Sequence, residues 1–129
     1  MRFKMIFGAA AIVAAGGFSP AGAAEGPFNQ AQLDKGKSEY NTHCRTCHAA
    51  NGKGALGPAL AGDEFKKKWG GKPISELRTY VYEQMPQTAP KSLKDEQLDP
   101  VMAYILSLNG ATPGSKELTK EAASAEFPK

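Results

Sequence analysis

The pentapeptide CRTCH at residues 44–48 carries the strongest chemical signal in this 129-residue chain. Its two cysteines, Cys44 and Cys47, are three positions apart, so on a helical turn both thiols project to one side. Each thiol can then add to a vinyl group of a porphyrin, and the next residue, His48, lies over the iron as its proximal ligand. The motif therefore predicts one haem c, bound covalently through both cysteines.

Three other uses of the two cysteines fit the surrounding sequence less well. A thioredoxin-like redox pair follows a strand and precedes a helix, whereas here a predicted helix precedes the motif and a glycine-rich loop follows it. A zinc site would need both cysteines with His43 and His48, and so short a segment cannot readily wrap a tetrahedral ion. A simple disulfide would leave the adjacent histidine and the glycine-rich loops unexplained.

Residues 1–24 resemble a secretory signal peptide. Arg2 and Lys4 form a short basic start, an uncharged alanine-rich run follows at 5–18, and small residues at 21–24 offer a cleavage site. The apolar run is shorter than the about 20 residues of a membrane-spanning helix, so we expect removal rather than a retained anchor. In an oxidising periplasm free thiols are normally oxidised, so both cysteines need a chemical reason to be present.

The composition excludes several classes of protein. With 41% hydrophobic and 22% charged residues, the chain fits neither a disordered protein nor a membrane bundle. Sixteen basic and 13 acidic residues give a net charge of +3, which is too mild for a dedicated nucleic-acid binder. We expect one folded domain at 25–110, followed by a polar and partly disordered C-terminal tail at 111–129.

Three stretches of the chain have helical spacing, and strand signals are sparse. They are 29–44, 74–84 and 92–108, with glycine- and proline-rich loops at 51–62, 70–73 and 86–90. So much irregular backbone around a small core indicates that a group other than protein fills the middle. We therefore predict an all-α fold of three to five helices, with long loops wrapped around one covalently bound haem.

Local signals predict where the helices begin and what they contact. Asn29 is a suitable N-cap for the first helix, and the mid-helix Gly36 indicates close approach by another element. Ser92 resembles the cap of the last helix. Because Pro100 is unfavourable inside a helix, one interpretation is that a fresh helix starts there, with Asp99 as its cap.

The second axial ligand of the iron is expected to be a methionine. After signal removal the chain keeps Met85 and Met102. Met102 lies on the apolar stripe of the last predicted helix, where a core role is expected. Met85 precedes Pro86, which disfavours helical geometry at Met85, so its sulfur lies on a loop and can point inward. We expect Met85 as the distal ligand; the alternative is that it fills a gap and leaves the iron five-coordinate.

The stretch from about 33 to 110 resembles the class I cytochromes c. The CRTCH motif matches their attachment site, GPAL at 57–60 resembles their G-P-x-L loop, and MP at 85–86 resembles their distal methionine loop. The resemblance implies the small cytochrome c fold. It also implies that the Pro58 carbonyl accepts a hydrogen bond from the proton-bearing nitrogen of His48 and so orients the ring.

The resemblance has further implications for the site and its partners. Tyr40 of the first helix should meet Tyr104 of the last, and Trp69 should lie beside a haem propionate, although a lone tryptophan is more often core. The stretch at 65–108 resembles small cytochromes fused to, or paired with, periplasmic quinoprotein dehydrogenases. An ordinary helix former usually takes the position of Pro100 in such relatives.

Histidine–methionine ligation predicts electron transfer rather than catalysis. A thioether favours ferrous iron, and with both axial positions filled a substrate has no open site. The chain has no Ser/His/Asp group or carboxylate pair that suggests other catalysis. We therefore expect a periplasmic single-electron carrier between a dehydrogenase and an oxidase or another cytochrome, with no nucleic-acid partner and no stable membrane insertion after signal removal.

Two alternatives remain open. The chain could be a tightly bound haem c subunit of a periplasmic dehydrogenase complex, or a haem enzyme or gas binder with an open iron site. Acidic residues are interleaved with seven loop lysines, so a mixed-sign surface is preferred over a positive docking face. These lysines are Lys53, Lys66, Lys67, Lys68, Lys72, Lys91 and Lys94.

Overall fold

The computed structural model describes residues 25–129 and the single residue Gly16, so the predicted signal peptide lies outside the described fold. Five α-helices occur in this part of the chain, with a short 3-10 turn at Ala50–Gly52. They are α1 (Gln30–His43), α2 (Arg45–His48), α3 (Asp63–Trp69), α4 (Ile74–Gln84) and α5 (Asp95–Leu108). Within these residues, strand pairing is limited to two isolated β-bridges. The prediction of an all-α fold is confirmed. Among the described residues, no helix has both the length and the apolar character needed to cross a bilayer.

Helices α1 and α5 cross closely, as the mid-helix glycine predicts. Asn29 caps α1, because its side chain accepts a hydrogen bond from the Gln32 backbone N–H at 2.9 Å. At the crossing, a Cβ atom on Gly36 would overlap the carbonyl oxygen of Pro100. One turn further along α1, the ring of Tyr40 lies 5.0 Å from that of Tyr104, centroid to centroid. The missing side chain at Gly36 therefore allows two backbones to touch.

Helix α5 is continuous, so the expected fresh start at Asp99 is wrong. Pro100 lies inside the helix, and the N-cap is Lys94 rather than Ser92. The Lys94 N–H donates to the Gln97 side chain at 3.1 Å. All nine residues at 98–106 are buried. A proline inside a helix costs about 3 kcal/mol, and burying each large apolar side chain returns about 1.5–3 kcal/mol, so packing outweighs the local penalty.

Helix α3 is a short element that periodicity did not reveal. Its seven residues, DEFKKKW, are too few to show a repeating pattern. The available signal was charge order, because acidic residues at a helix start and basic residues at its end are both favourable. Asp63 and Glu64 stand in the first turn and three lysines in the last, while Phe65 and Trp69 are buried.

Residues 111–129 pack onto the domain instead of forming the separate polar tail that the sequence suggested. Leu118, Ala123 and Phe127 are buried in the core. The Gln32 side chain binds both backbone groups of Leu118, at 2.7 and 2.8 Å. The Phe127 N–H donates to Lys72 O at 2.8 Å. These three apolar residues are too widely spaced to give a periodic pattern in the sequence, yet all three are buried in the core.

Candidate haem site

The attachment motif forms one helical turn directly after α1. Cys44 joins the two helices: its N–H donates to Tyr40 O at 2.8 Å, and its carbonyl accepts from His48 N at 2.9 Å. Cys44 is half-buried, Cys47 is exposed, and the two are not joined in a disulfide. Burial, followed by the Cys47 thiol and Glu39, raises the pKa of Cys44 to about 11. Both sulfurs are thus free to form thioether bonds.

The His48 imidazole is buried and held in one tautomer. Its Nδ1 lies 2.7 Å from the Pro58 carbonyl oxygen. A carbonyl oxygen only accepts, so Nδ1 carries the proton and Nε2 keeps the lone pair that a metal requires. The Gly57 N–H donates to Cys47 O at 2.8 Å, and a Cβ on Gly57 would come within 2.8 Å of the imidazole Cε1. These residues fit haem c: His48 would supply Nε2 to its iron, and Cys44 and Cys47 would supply the thiols that attach the porphyrin.

Met85 lies just beyond the end of α4, as Pro86 predicts. Its backbone is extended, with φ −124° and ψ 148°, and its N–H closes the helix by donating to Val81 O at 2.9 Å. The side chain is partly buried and packs against the core. Met102 is fully buried on α5, which confirms its core assignment. The role of Met85 as a ligand stays a prediction.

Trp69 is packed against neighbouring rings and lysines at the end of α3. It is 8% exposed, and its ring centroid lies 5.5 Å from that of Tyr80. The ammonium groups of Lys68 and Lys72 lie 5.2 and 5.4 Å from the indole centroid, which is cation–π distance. These contacts support the core interpretation, and a contact between Trp69 and a propionate stays a prediction.

Some of the lysines that the sequence analysis placed in loops pair with acidic side chains, and three of them, Lys66, Lys67 and Lys68, in fact lie on α3. Lys67 lies 2.5 Å from Glu64, and Lys72 lies 3.9 Å from Glu76. Both pairs are exposed, so each contributes little to stability. They do, however, reduce the net positive charge of this surface, in agreement with the mixed-sign interpretation.

Tyr40 of α1 and Tyr104 of α5 link the crossing of these helices to the segment that follows the CRTCH motif. The sequence did not indicate these two links. The Tyr40 hydroxyl donates to Ala49 O at 2.6 Å, and the Tyr104 hydroxyl donates to Asn51 Oδ1 at 3.3 Å. Burial raises the pKa of Tyr40 to about 12. Both hydroxyls therefore remain donors at neutral pH and hold the chain that leaves His48.

Within residues 25–129, no group of three or more His, Cys, Asp and Glu side chains is placed to bind a metal ion. An iron already held in a porphyrin needs only axial ligands from the protein. His48 and Met85 are the side chains that the sequence analysis offers for those two positions.

Comparison with known proteins points to one family. Residues 31–105 match the model of the family described as "Cytochrome C oxidase, cbb3-type, subunit III". The curated protein "Cbb3-type cytochrome c oxidase subunit CcoP" of Azospirillum sp. (strain B510) is 32% identical over 101 residues, covering 66% of this chain and 33% of that protein. The chain thus spans about a third of the length of that relative.

Among solved structures, the chain is similar to one in the crystal structure of the sulfane dehydrogenase SoxCD from Paracoccus pantotrophus. The TM-score is 0.59 at 21% identity, covering 82% of this chain and 61% of that chain. At this level of identity the likeness concerns the fold alone.

Proposed function

The chain belongs to the c-type cytochrome family described as cytochrome c oxidase, cbb3-type, subunit III, and from this premise we propose that it transfers single electrons through one haem c. The haem is attached to Cys44 and Cys47, with His48 and Met85 as axial ligands. The resemblance to class I c-type cytochromes is confirmed by this membership. The finer assignments of ligands, partners and compartment are our proposal.

One observation carries the ligand assignment most directly. The hydrogen bond from His48 Nδ1 to the Pro58 carbonyl, at 2.7 Å, leaves Nε2 as the basic nitrogen. A carbonyl in this position also restrains rotation of the ring, as outer hydrogen bonds do for metal-bound histidines. The neighbouring turn supplies two thiols that are not joined to each other.

The remaining residues adjust the iron rather than carry out chemistry on a substrate. When bound, haem c supplies a one-electron ferric–ferrous couple. Met85 offers a soft thioether that would favour the ferrous state. With haem bound, His48 and Met85 would both be ligands of the iron and would leave no open coordination position for a substrate. We therefore propose an electron transfer protein without catalysis of its own.

The absorption spectrum of the matured protein tests the ligand set. The chain is produced in a host that attaches haem c, and we expect one covalent haem per chain with low-spin ferric iron and a weak far-red methionine–iron band. Met85→Ala should abolish that band and leave the haem attached. Met102→Leu is the matched control, because Met102 is fully buried in the core, and its spectrum should match the wild type.

Two results would contradict the proposal. Haem that can be extracted by acidic acetone would show that no thioether bonds form. High-spin iron in the wild type, unchanged in Met85→Ala, would show an open iron site and favour a haem enzyme or gas binder.

Partners and compartment follow from chemistry and from the relatives. We propose a periplasmic protein that accepts electrons from a dehydrogenase and passes them to an oxidase or another cytochrome. A tightly bound haem subunit is the second candidate, since the relative from Azospirillum is by name an oxidase subunit. Size-exclusion chromatography of native extract separates the two, because a free carrier elutes alone and a subunit elutes with a large partner.

A further inference from the structure

Arg78 is a buried cation on α4 that binds two carboxylates of α5. Its side chain is 8% exposed; Nε donates to Asp99 Oδ1 at 2.7 Å, and Nη2 donates to Asp95 Oδ1 at 2.9 Å. The two aspartates are four positions apart, so one guanidinium binds successive turns of α5. Burial alone would lower the pKa of Arg78. Its hydrogen bonds to Asp99 and Asp95 outweigh this effect, so the pKa of Arg78 is raised above its usual value.

A buried ion pair of this kind needs an explanation other than stability. Apolar side chains of similar volume often stabilise a protein as well as a buried pair does. The pair differs from apolar packing in being directional, because a planar guanidinium accepts its partners only in a fixed geometry. Apolar contacts such as those of Leu77 and Val81, both buried on α4, would tolerate a small rotation or slide of the helix. The pair would not.

The position of Arg78 along α4 connects it to the proposed distal ligand. Met85 lies seven positions after Arg78, which is about two helical turns, and it directly follows Gln84, the last residue of α4. Met85 N–H is bonded to Val81 O at 2.9 Å, so the helical path reaches Met85 without an intervening loop. A rotation or slide of α4 is therefore passed directly to Met85.

The partner of Arg78 is also connected to the proximal side of the site. Asp99 is followed by Pro100, whose carbonyl oxygen is the atom that a Cβ on Gly36 of α1 would overlap. Helix α1 ends at His43, immediately before the attachment motif. Two consecutive residues of α5 thus fix α4, which leads to Met85, and α1, which leads to Cys44.

Resting on the ligand set proposed above, we propose that Arg78 is a positioning residue for Met85. Its ion pair with Asp99 fixes α4 against α5 and so holds the thioether on the iron. Asp99 contributes most of this restraint, because its side chain is 12% exposed, whereas that of Asp95 is 72% exposed and its pairing is screened by water.

Competition between imidazole and Met85 for the ferric iron measures this restraint in the haem-loaded protein. A loosely held Met85 yields more easily, so Arg78→Gln and Asp99→Asn should each bind imidazole about tenfold more tightly, equivalent to about 1.4 kcal/mol. Asp95→Asn should have a smaller effect. Arg78→Lys should bind imidazole with an affinity between those of the wild type and Arg78→Gln, since an ammonium keeps the positive charge but lacks the planar, two-pronged donor geometry of a guanidinium.

The matched control is Glu76→Gln, which removes the exposed pair with Lys72 on the same helix. Its imidazole affinity should equal that of the wild type. If Arg78→Gln or Asp99→Asn does not fold, the double variant Arg78→Met with Asp99→Leu removes the pair without leaving a buried charge unpaired. We expect it to bind imidazole more tightly as well.

The outcomes separate this inference from the proposed function. If the single variants or the double variant fold and bind imidazole with wild-type affinity, Arg78 is not a positioning residue for Met85. This conclusion holds even if the variants are less stable in denaturant. If Met85→Ala binds imidazole no more tightly than the wild type, Met85 is not a ligand. In that case the proposed ligand set itself is wrong, independently of the role of Arg78.

Discussion

Replacing Gly36 by alanine tests the helix crossing on which the site depends. The added Cβ would overlap the carbonyl oxygen of Pro100 and come within 3.1 Å of Tyr104 Cβ. Because the nearest atom belongs to the backbone of α5, it cannot rotate away as a flexible side chain could. Helices α1 and α5 must therefore separate, and the Tyr40–Tyr104 contact at 5.0 Å between ring centroids must open with them.

The size of the effect follows from two opposing contributions. Overpacking a core costs about 1–3 kcal/mol, and direct overlap with backbone places this variant near the upper end. Alanine returns about 1 kcal/mol, because it is the better helix former. We therefore expect Gly36→Ala to lower the free energy of unfolding of the haem-loaded protein by about 2 kcal/mol.

Urea unfolding followed by far-ultraviolet circular dichroism measures this difference. Ser38→Ala is the matched control, because Ser38 is exposed on the same helix and the substitution adds helix propensity without a new contact. Its stability should equal or slightly exceed that of the wild type. A Gly36→Ala protein as stable as Ser38→Ala would refute the close backbone contact.

Three further predictions address the C-terminal segment, the proximal loop and the buried hydroxyl. Phe127→Ala should destabilise the protein by about 3–5 kcal/mol in the same assay, because a fully buried ring that lies 5.6 Å from Phe65 is removed; a loss below about 1 kcal/mol would mean that the segment is not part of the core. Gly57→Ala should disturb the His48 ring, whose Cε1 would lie 2.8 Å from the new Cβ, and a reduction potential equal to that of the wild type would contradict this contact. The raised pKa of Tyr40, about 12 against 10 for the free side chain, means that the folded state keeps a proton that the unfolded chain loses. Stability should therefore fall between about pH 10 and 12, by up to about 2–3 kcal/mol, and Tyr40→Phe should reduce that slope; an unchanged slope would show that Tyr40 is not responsible.

Features that depend on neighbouring residues could be predicted from the sequence. The CRTCH motif, the Asn29 cap, the bounds of α4 and the placement of Met85 after a helix all follow from residues within a few positions of one another. Gly36 also gave the right expectation, since a glycine at mid-helix is costly unless something approaches it. The residue that Gly36 contacts, Pro100, is harder to foresee, because a proline at that position predicts a helix start rather than a helix interior.

Apart from the Tyr40–Tyr104 contact, which the family resemblance implied, features that depend on distant residues could not be predicted. The continuity of α5 through Pro100 results from the burial of residues 98–106, which a local penalty does not reveal. The packing of Leu118 and Phe127 depends on partners elsewhere in the chain, and α3 is too short to have a period. The sequence does not indicate the pairing of Arg78 with Asp99, because charged residues on a helix are usually exposed to solvent.

Helix α4, which ends immediately before Met85, is therefore held by partners far from it in sequence. Helix α4 has no side-chain cap, and its first two N–H groups, on Ile74 and Ser75, donate to the carbonyls of Ala125 and Ala123 at 2.8 and 2.7 Å. These bonds replace the cap that a Ser or Asp would supply. The C-terminal segment thus fixes the start of α4, and Arg78 fixes its middle. Because the two proposed axial ligands lie on separate segments, their spacing depends on how the whole domain packs, and substitutions at either anchor should act on the iron through the proposed ligand Met85.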